Sequence, residues 1–274
     1  LIYKRKIKRS ICVLSDTHTG SDVALWPKHH MLPKGNYITL SHGQEQLYEY
    51  WQDFCSMVKE YKCDTVIHLG DAVEGLNRKD GGEGLVVSNI DTQKDACIAL
   101  LDEVIYDRNK VNLLIVDGSK YHESQDSKIH KAIADAYPKG KYCGVLQNIK
   151  LNDTELRMNI AHGSGGSAIY RSTKMDREEM FFLLAQACNK LPEKPDIIMR
   201  GHLHYMKEVV SENTLSIQVP CWKAWEDSRF FTANYARMQP DIGGYVLLID
   251  EFDEVIIKRK KFPLPHIADR FRAL

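Results

Sequence analysis

Asp16 and His18 stand two residues apart at the end of an apolar run, Ile11-Cys12-Val13-Leu14. Four apolar residues in succession predict a strand buried on both faces, as in the middle of a covered sheet. Side chains at i and i+2 of an extended segment share a side. A carboxylate and an imidazole are thus offered together at the mouth of a sheet, where one metal ion would suit both. The pattern recurs. Gly70-Asp71 follows the apolar 65–69, Gly118 through His122 follows 111–116, His162 follows 155–161, and His202 and His204 follow 196–199. In open α/β sheets ligands bind at the carboxyl ends of the strands, so two carboxylates and five imidazoles can gather at one edge. Mixed oxygen and nitrogen donors suit Mn, Fe or Zn better than Ca or a thiolate zinc. Seven candidates exceed one tetrahedral site, which makes two metals the economical reading.

The elements that must position these groups follow from periodicity. Apolar Leu47, Tyr50, Trp51, Phe54, Met57 and Val58 predict a helix over 44–61. Asp91 reads as the N-cap of a second helix reaching about Asn109. A third spans 127–137, stopped by Pro138. A fourth spans 175–189, with Met180, Phe181, Leu183, Leu184 and Ala187 facing in. Strands are expected at 142–151 and 155–161 around Asn152-Asp153. Hairpins are expected at 205–210 with 214–219 and at 245–249 with 255–261. Strands alternating with helices, then hairpins, predict a single α/β domain over 1–274: a two-sheet mixed β sandwich flanked by helices, β-rich from 205 to 274. Residues 19–43, with Trp26, His29, His30 and Met31, are long for a loop. They are a candidate lid or a surface loop with an aromatic anchor. His68 reads as a core histidine or one behind the ligands; His29, His30, His42, His130 and His266 read as surface or loop residues.

Composition narrows the class. The chain has 274 residues, 37 basic and 37 acidic, so no global positive field drives nucleic-acid binding. No apolar run reaches the ~20 residues of a membrane span. The basic start, Lys4-Arg5-Lys6, has no long apolar core behind it, so no secretory signal is expected; Leu1 leaves residues upstream open. Seven scattered cysteines without C-x-x-C spacing fit buried free thiols in a reducing, cytoplasmic setting.

In this order the motifs resemble the calcineurin-like metallophosphoesterase superfamily. They read D-x-H at Asp16-Thr17-His18, G-D-x-x-E at Gly70-Asp71-Ala72-Val73-Glu74, a variant third block Gly118-Ser119-Lys120-Tyr121-His122-Glu123, then His162, and G-H-x-H at Gly201-His202-Leu203-His204. The resemblance covers residues 10 to about 205. It implies a two-sheet sandwich and two divalent ions, Mn first, with Fe, Zn, Ni or Mg as alternatives. One ion would be held by Asp16, His18, Asp71 and His204. The second would be held by Asp71, His162, His202 and a ligand from the third block, with Asp71 bridging. Glu74 would lie behind the ligands. The family has an Asn ligand where Ser119 stands, and its phosphate-facing His comes two positions earlier than His122. Either His122 keeps the phosphate-facing, acid role on a longer loop, or His122 or Ser119 supplies the missing second-metal ligand. Glu123 would orient His122. The implied chemistry is attack of a metal-bridging hydroxide on phosphorus, with His122 as imidazolium protonating the leaving alkoxide.

The substrate is left with three readings. The basic start Lys4, Arg5, Lys6, Lys8 and Arg9, Lys120, and aromatics interleaved with cations from Trp222 and Trp225 to Arg237 suit a nuclease or phosphodiesterase on DNA or RNA. The third block is also similar to that of calcineurin-like proteins of phage and prophage DNA-metabolism regions. Neutral charge and a closed-looking loop suit a phosphomonoesterase acting on a protein or small molecule. A non-catalytic binding module is the third, which so complete a ligand set disfavours. Nothing in the sequence gives an oligomeric state.

Overall fold

The computed structural model describes residues 5–78, 81–122, 128–166, 170–191, 193–212, 214–224 and 239–265. Along these residues run β1 (Ile7–Leu14), α1 (His42–Glu60), β2 (Thr65–His68), α2 (Ile90–Val104), β3 (Asn112–Ile115), α3 (Ile129–Asp135) and β4 (Gly140–Tyr142). Then follow β5 (Leu146–Lys150), β6 (Arg157–Ala161), α4 (Thr173–Ala187), β7 (Ile197–Arg200), β8 (Lys207–Val210), β9 (Leu215–Gln218), β10 (Ile242–Asp250) and β11 (Val255–Phe262). They build two mixed sheets, ordered β11-β10-β1-β2-β3-β4 and β5-β6-β7-β9-β8. This is the helix-flanked sandwich expected from the sequence.

The alternation within β1 sets the layers. Ile11 and Val13 point into a core shared with Met158, Ile160, Met199 and Ile217 of the other sheet. Cys12 and Leu14 point the opposite way, into a core with Leu47, Trp51 and Phe54 of α1 and Leu100 and Leu101 of α2. A strand apolar on both faces belongs between two such layers. Each large side chain buried there contributes about 1.5–3 kcal/mol. The strands that end in chemistry are parallel to one another, β1 with β2 and β3, and β6 with β7. Their carboxyl ends therefore open on the same side of each sheet.

Four expectations change. Asn89, not Asp91, caps α2 by accepting from Thr92 N at 2.9 Å, and the helix stops at Val104. The strand expected at 142–151 splits at Gly144, whose φ of +64° turns the chain out of the first sheet and into the second. His130 is fully buried, because it shares the inner face of α3 with Ile133 and Ala134. In α4, Met180, Phe181, Leu183 and Leu184 are exposed and only Met175 is buried. The cause is the surface beneath. On that side the second sheet carries buried Asn159, Arg200, Ser216 and Gln218. A desolvated guanidinium needs a partner, so α4 turns Glu178 toward Arg200, 2.9 Å away. Its apolar side is left outward.

Residues 19–43 divide in two. Ala24, Leu25 and Trp26 are buried, and Leu25 N donates to Trp222 O at 3.0 Å. No residue from 28 to 43 is buried. No described helix is long and apolar enough to cross a membrane.

Candidate metal centre

Two backbone bonds lash the first two motif loops together: Asp16 N to Gly70 O and His18 N to Asp71 O, both 3.0 Å. The loop after β7 closes on them from the opposite sheet, where His202 N donates to Asp16 Oδ2 at 2.9 Å. Gly201 is needed for this approach, since a methyl there would run into Ser15 Oγ and Asp16 Oδ2. The turns are tight enough that Asp16, His18, Asp71, His202 and His204 all adopt left-handed backbone, with φ of +52°, +44°, +47°, +74° and +54°.

Three imidazoles are anchored through Nδ1. His162 Nδ1 lies 2.7 Å from Leu69 O and His122 Nδ1 2.8 Å from Glu74 O. A carbonyl only accepts, so both nitrogens carry a proton. His18 Nδ1 lies 2.8 Å from Glu74 Oε2. Burial alone would raise the Glu74 pKa, but Lys223, then His18, outweigh it and hold it at about 2. The carboxylate is ionised, so His18 Nδ1 donates. In each neutral ring the lone pair is on Nε2. Carbonyls and carboxylates commonly orient metal-binding histidines in this way.

The remaining donor atoms converge. His18 Nε2 is 3.2 Å from His204 Nε2, which is 3.2 Å from Asp16 Oδ1. His162 Nε2 is 3.0 Å from Asp71 Oδ2 and 3.2 Å from His202 Nδ1. Donors at 2.0–2.2 Å from one ion and ~90–110° apart around it lie ~3–3.5 Å from each other. The donor set fits two divalent ions: Asp16, His18 and His204 form one group, and Asp71, His162 and His202 another. Asp71 Oδ2 also stands 4.0 Å from His18 Nε2, between the groups. His122 joins His18 and Asp71 in a third, overlapping group. Its ring is edge-on to that of His18, centroids 4.4 Å apart. It thus groups with His18 and Asp71.

Electrostatics give the facing atoms their charges. Burial raises the Asp16 and Asp71 pKa values, and neighbouring histidines, His162 first, pull both well below the usual carboxylate range. Burial, followed by His18, lowers His122 to about 4 against the pull of Asp71 and Glu74. In the free protein it is therefore neutral at pH 7. His162 behaves oppositely. Burial lowers its pKa, but Asp16 and Asp71 outweigh burial and raise it to about 9. A proton on its Nε2 thus faces Asp71 where a cation would sit.

Burial lowers the His204 pKa too, but Cys221 and Asp16 raise it well above the usual value. Metal binding at pH 7 should therefore release a proton from both His162 and His204, about two per chain. Calorimetry in buffers of different ionisation enthalpy measures them. The His162 proton also sets a stability trend. The folded pKa lies above the 6.5 reference, so its stabilisation is complete below pH 6.5 and is lost as pH rises through 9. Denaturant titration of the metal-free chain should show a loss of roughly 3 kcal/mol from this group across that window, absent once metal is bound.

The other named residues fall as follows. Ser119 N donates to Asp71 Oδ1 at 2.7 Å, and its hydroxyl lies 3.3 Å from both Asp71 oxygens. Lys120 and Tyr121 are exposed beside His122. Trp222 is not a substrate contact: it is fully buried, its ring 4.9 Å from that of Trp51 in the core under α1. Glu123 and Trp225 lie outside the described residues. His68 is buried, with Nε2 3.0 Å from Thr17 Oγ1. Sequence reasoning missed three supports. His130 Nε2 accepts from Ala72 N at 3.1 Å, next to Asp71; its i, i+3, i+4 spacing with Ile133 and Ala134 was the available signal. Gln93 clamps Gly75, accepting from its N at 2.8 Å and donating to its O at 2.9 Å. Lys223 Nζ lies 3.0 Å from each oxygen of Glu74.

No family model matches the chain, and no curated protein matches it. Among solved structures the chain is similar to a novel archaeal phosphodiesterase, at 13% identity over 92% of this chain and 99% of that one, TM-score 0.43. It is also similar to Vps29 of Chaetomium thermophilum, at 14% identity over 94% and 97%, TM-score 0.43. A conserved uncharacterized protein of Streptococcus pneumoniae TIGR4, a predicted phosphoesterase, is 14% identical over 93% and 98%, TM-score 0.34. Likeness at this level says nothing of what the chain does, and the functional reading rests on the donor atoms themselves.

Proposed function

We propose that this protein is a binuclear metal-dependent phosphoesterase of the calcineurin-like kind that hydrolyses a phosphodiester, with nucleic acid the favoured substrate class. One observation carries the chemistry: two sets of oxygen and nitrogen donors meet on either side of Asp71. Asp16, His18, Asp71 and His204 would hold one ion, and Asp71, His162 and His202 the other. Two divalent ions, Mn the first candidate, would supply a nucleophilic water at neutral pH and neutralise charge on phosphoryl oxygens. The chain's residues do the rest. His122, neutral and fixed by its Nδ1–H on Glu74 O, takes a proton at Nε2 when an anionic ester raises its pKa, and delivers it to the leaving oxygen. Ser119 holds Asp71 in register through its backbone N–H.

Lys120 and the exposed ring of Tyr121 support a nucleotide substrate, since a cation and an aromatic beside the phosphate-facing histidine suit a stacked base. Two observations favour the second reading, a phosphomonoesterase. Trp222 is spent in the core, and the basic start is spent in ion pairs, Arg5 with Asp250, Lys8 with Asp253 and Arg9 with Asp64. Turnover of bis-p-nitrophenyl phosphate against p-nitrophenyl phosphate with added Mn separates the two. The diester is expected to be the better substrate, with DNA or RNA cut at low salt, where phosphate contacts are strongest. Turnover of the monoester alone establishes the second reading, and turnover of neither ester with Mn, Fe, Zn, Ni or Mg removes both.

A further inference from the structure

Lys223 is the least expected charge near the centre. Lysine is seldom buried, yet its side chain is 8% exposed, against a Glu74 side chain that is 2% exposed. The segment carrying it is strapped on both sides. Trp222 N donates to Asp16 O at 3.0 Å, Leu25 N to Trp222 O at 3.0 Å, and Ala224 N to Val23 O at 2.8 Å. Trp222 itself is locked in the core. The ammonium is therefore delivered to Glu74, 3.0 Å from both of its oxygens. On its other side Glu74 Oε2 accepts from His18 Nδ1. A chain of three buried groups, Lys223, Glu74 and His18, thus runs from the core to the donor atoms.

We propose that Lys223 is a positioning residue for the metal centre: by gripping both oxygens of Glu74 it fixes His18 with Nδ1 protonated and the Nε2 lone pair turned toward Asp16 and His204. A glutamate side chain has three rotatable bonds, and one contact to a histidine does not fix its rotation; a bidentate ammonium does. Lys223 also compensates a buried carboxylate that would otherwise compete, as an unpaired charge, for any nearby cation or proton. The contact stands on the geometry alone. Its consequence for metal binding rests on the reading of His18 as a ligand.

The test has two arms. In long-range 1H–15N spectra of the metal-free protein, His18 should show the Nδ1–H tautomer. Lys223→Met should shift it toward a mixture, and Lys223→Arg should restore it. In Mn titrations followed by electron paramagnetic resonance, Lys223→Met should weaken one of two sites about 10–100-fold and leave the other unchanged. Added to Glu74→Gln, the same substitution should cost almost nothing, because the two residues act as one unit. The double variant also removes both buried charges together, so it keeps a folded background if Lys223→Met alone does not fold. An unchanged His18 tautomer in folded Lys223→Met, or the same loss of Mn affinity with Gln as with Glu at 74, overturns the proposal. Wild-type protein that binds no Mn instead overturns the phosphoesterase reading, and the tautomer arm still decides this one.

Discussion

Asp71→Asn is expected to lose tight binding of both metal ions and to lower ester turnover by about 10³-fold or more. Lewis-acid stabilisation by such ions is worth several kcal/mol, and each 1.36 kcal/mol is tenfold in rate. The size of the effect comes from where Asp71 stands. Its Oδ2 is 3.0 Å from His162 Nε2 and 4.0 Å from His18 Nε2, so one carboxylate serves both donor groups. An amide keeps the shape and the tolerance for left-handed backbone but gives up the charge. Metal analysis after dialysis, beside the ester assay, measures both halves. Full activity with two retained ions would end the binuclear reading.

His122→Ala carries the second large effect. Turnover should fall by ~10²–10⁴-fold, the usual worth of general acid–base catalysis, while metal content stays at two. The structure makes this sharper than sequence alone allowed. The ring stands beside His18 and Asp71, and its Nδ1–H is committed to Glu74 O. Burial and His18 hold the free group near 4, so its proton must arrive with the substrate. The pH profile of kcat should then show a group well above 4, while kcat/KM, which reports the free enzyme, should not. Loss of one ion in the variant would make His122 a ligand of the first group instead.

What was legible in the chain was what is local. The strand ends, the D-x-H and G-H-x-H spacings and the outer helices all follow from patterns a few residues long, and the sandwich followed from their order. Three things were not legible, each because its cause lies elsewhere in the fold. The outward apolar face of α4 depends on the polar sheet surface beneath it, supplied by Asn159, Arg200, Ser216 and Gln218. Lys223 reads as one cation among aromatics until the fold brings it to Glu74, 149 residues earlier. The split at Gly144 looks like a continuous strand because both halves are extended; only the positive φ separates them.

The left-handed turns at the centre bear on how such a site persists. Asp16, His18, Asp71, His202 and His204, five of the six candidate ligands, stand where φ is positive. A side chain there costs of order 1–3 kcal/mol, and glycine would avoid it. Glycine there would relieve the backbone but forfeit the bonds that Asp16 Oδ2 and Asp71 Oδ1 accept from His202 N and Ser119 N. The strain is thus stored in the same residues that tie the loops together, and relieving it would loosen the centre.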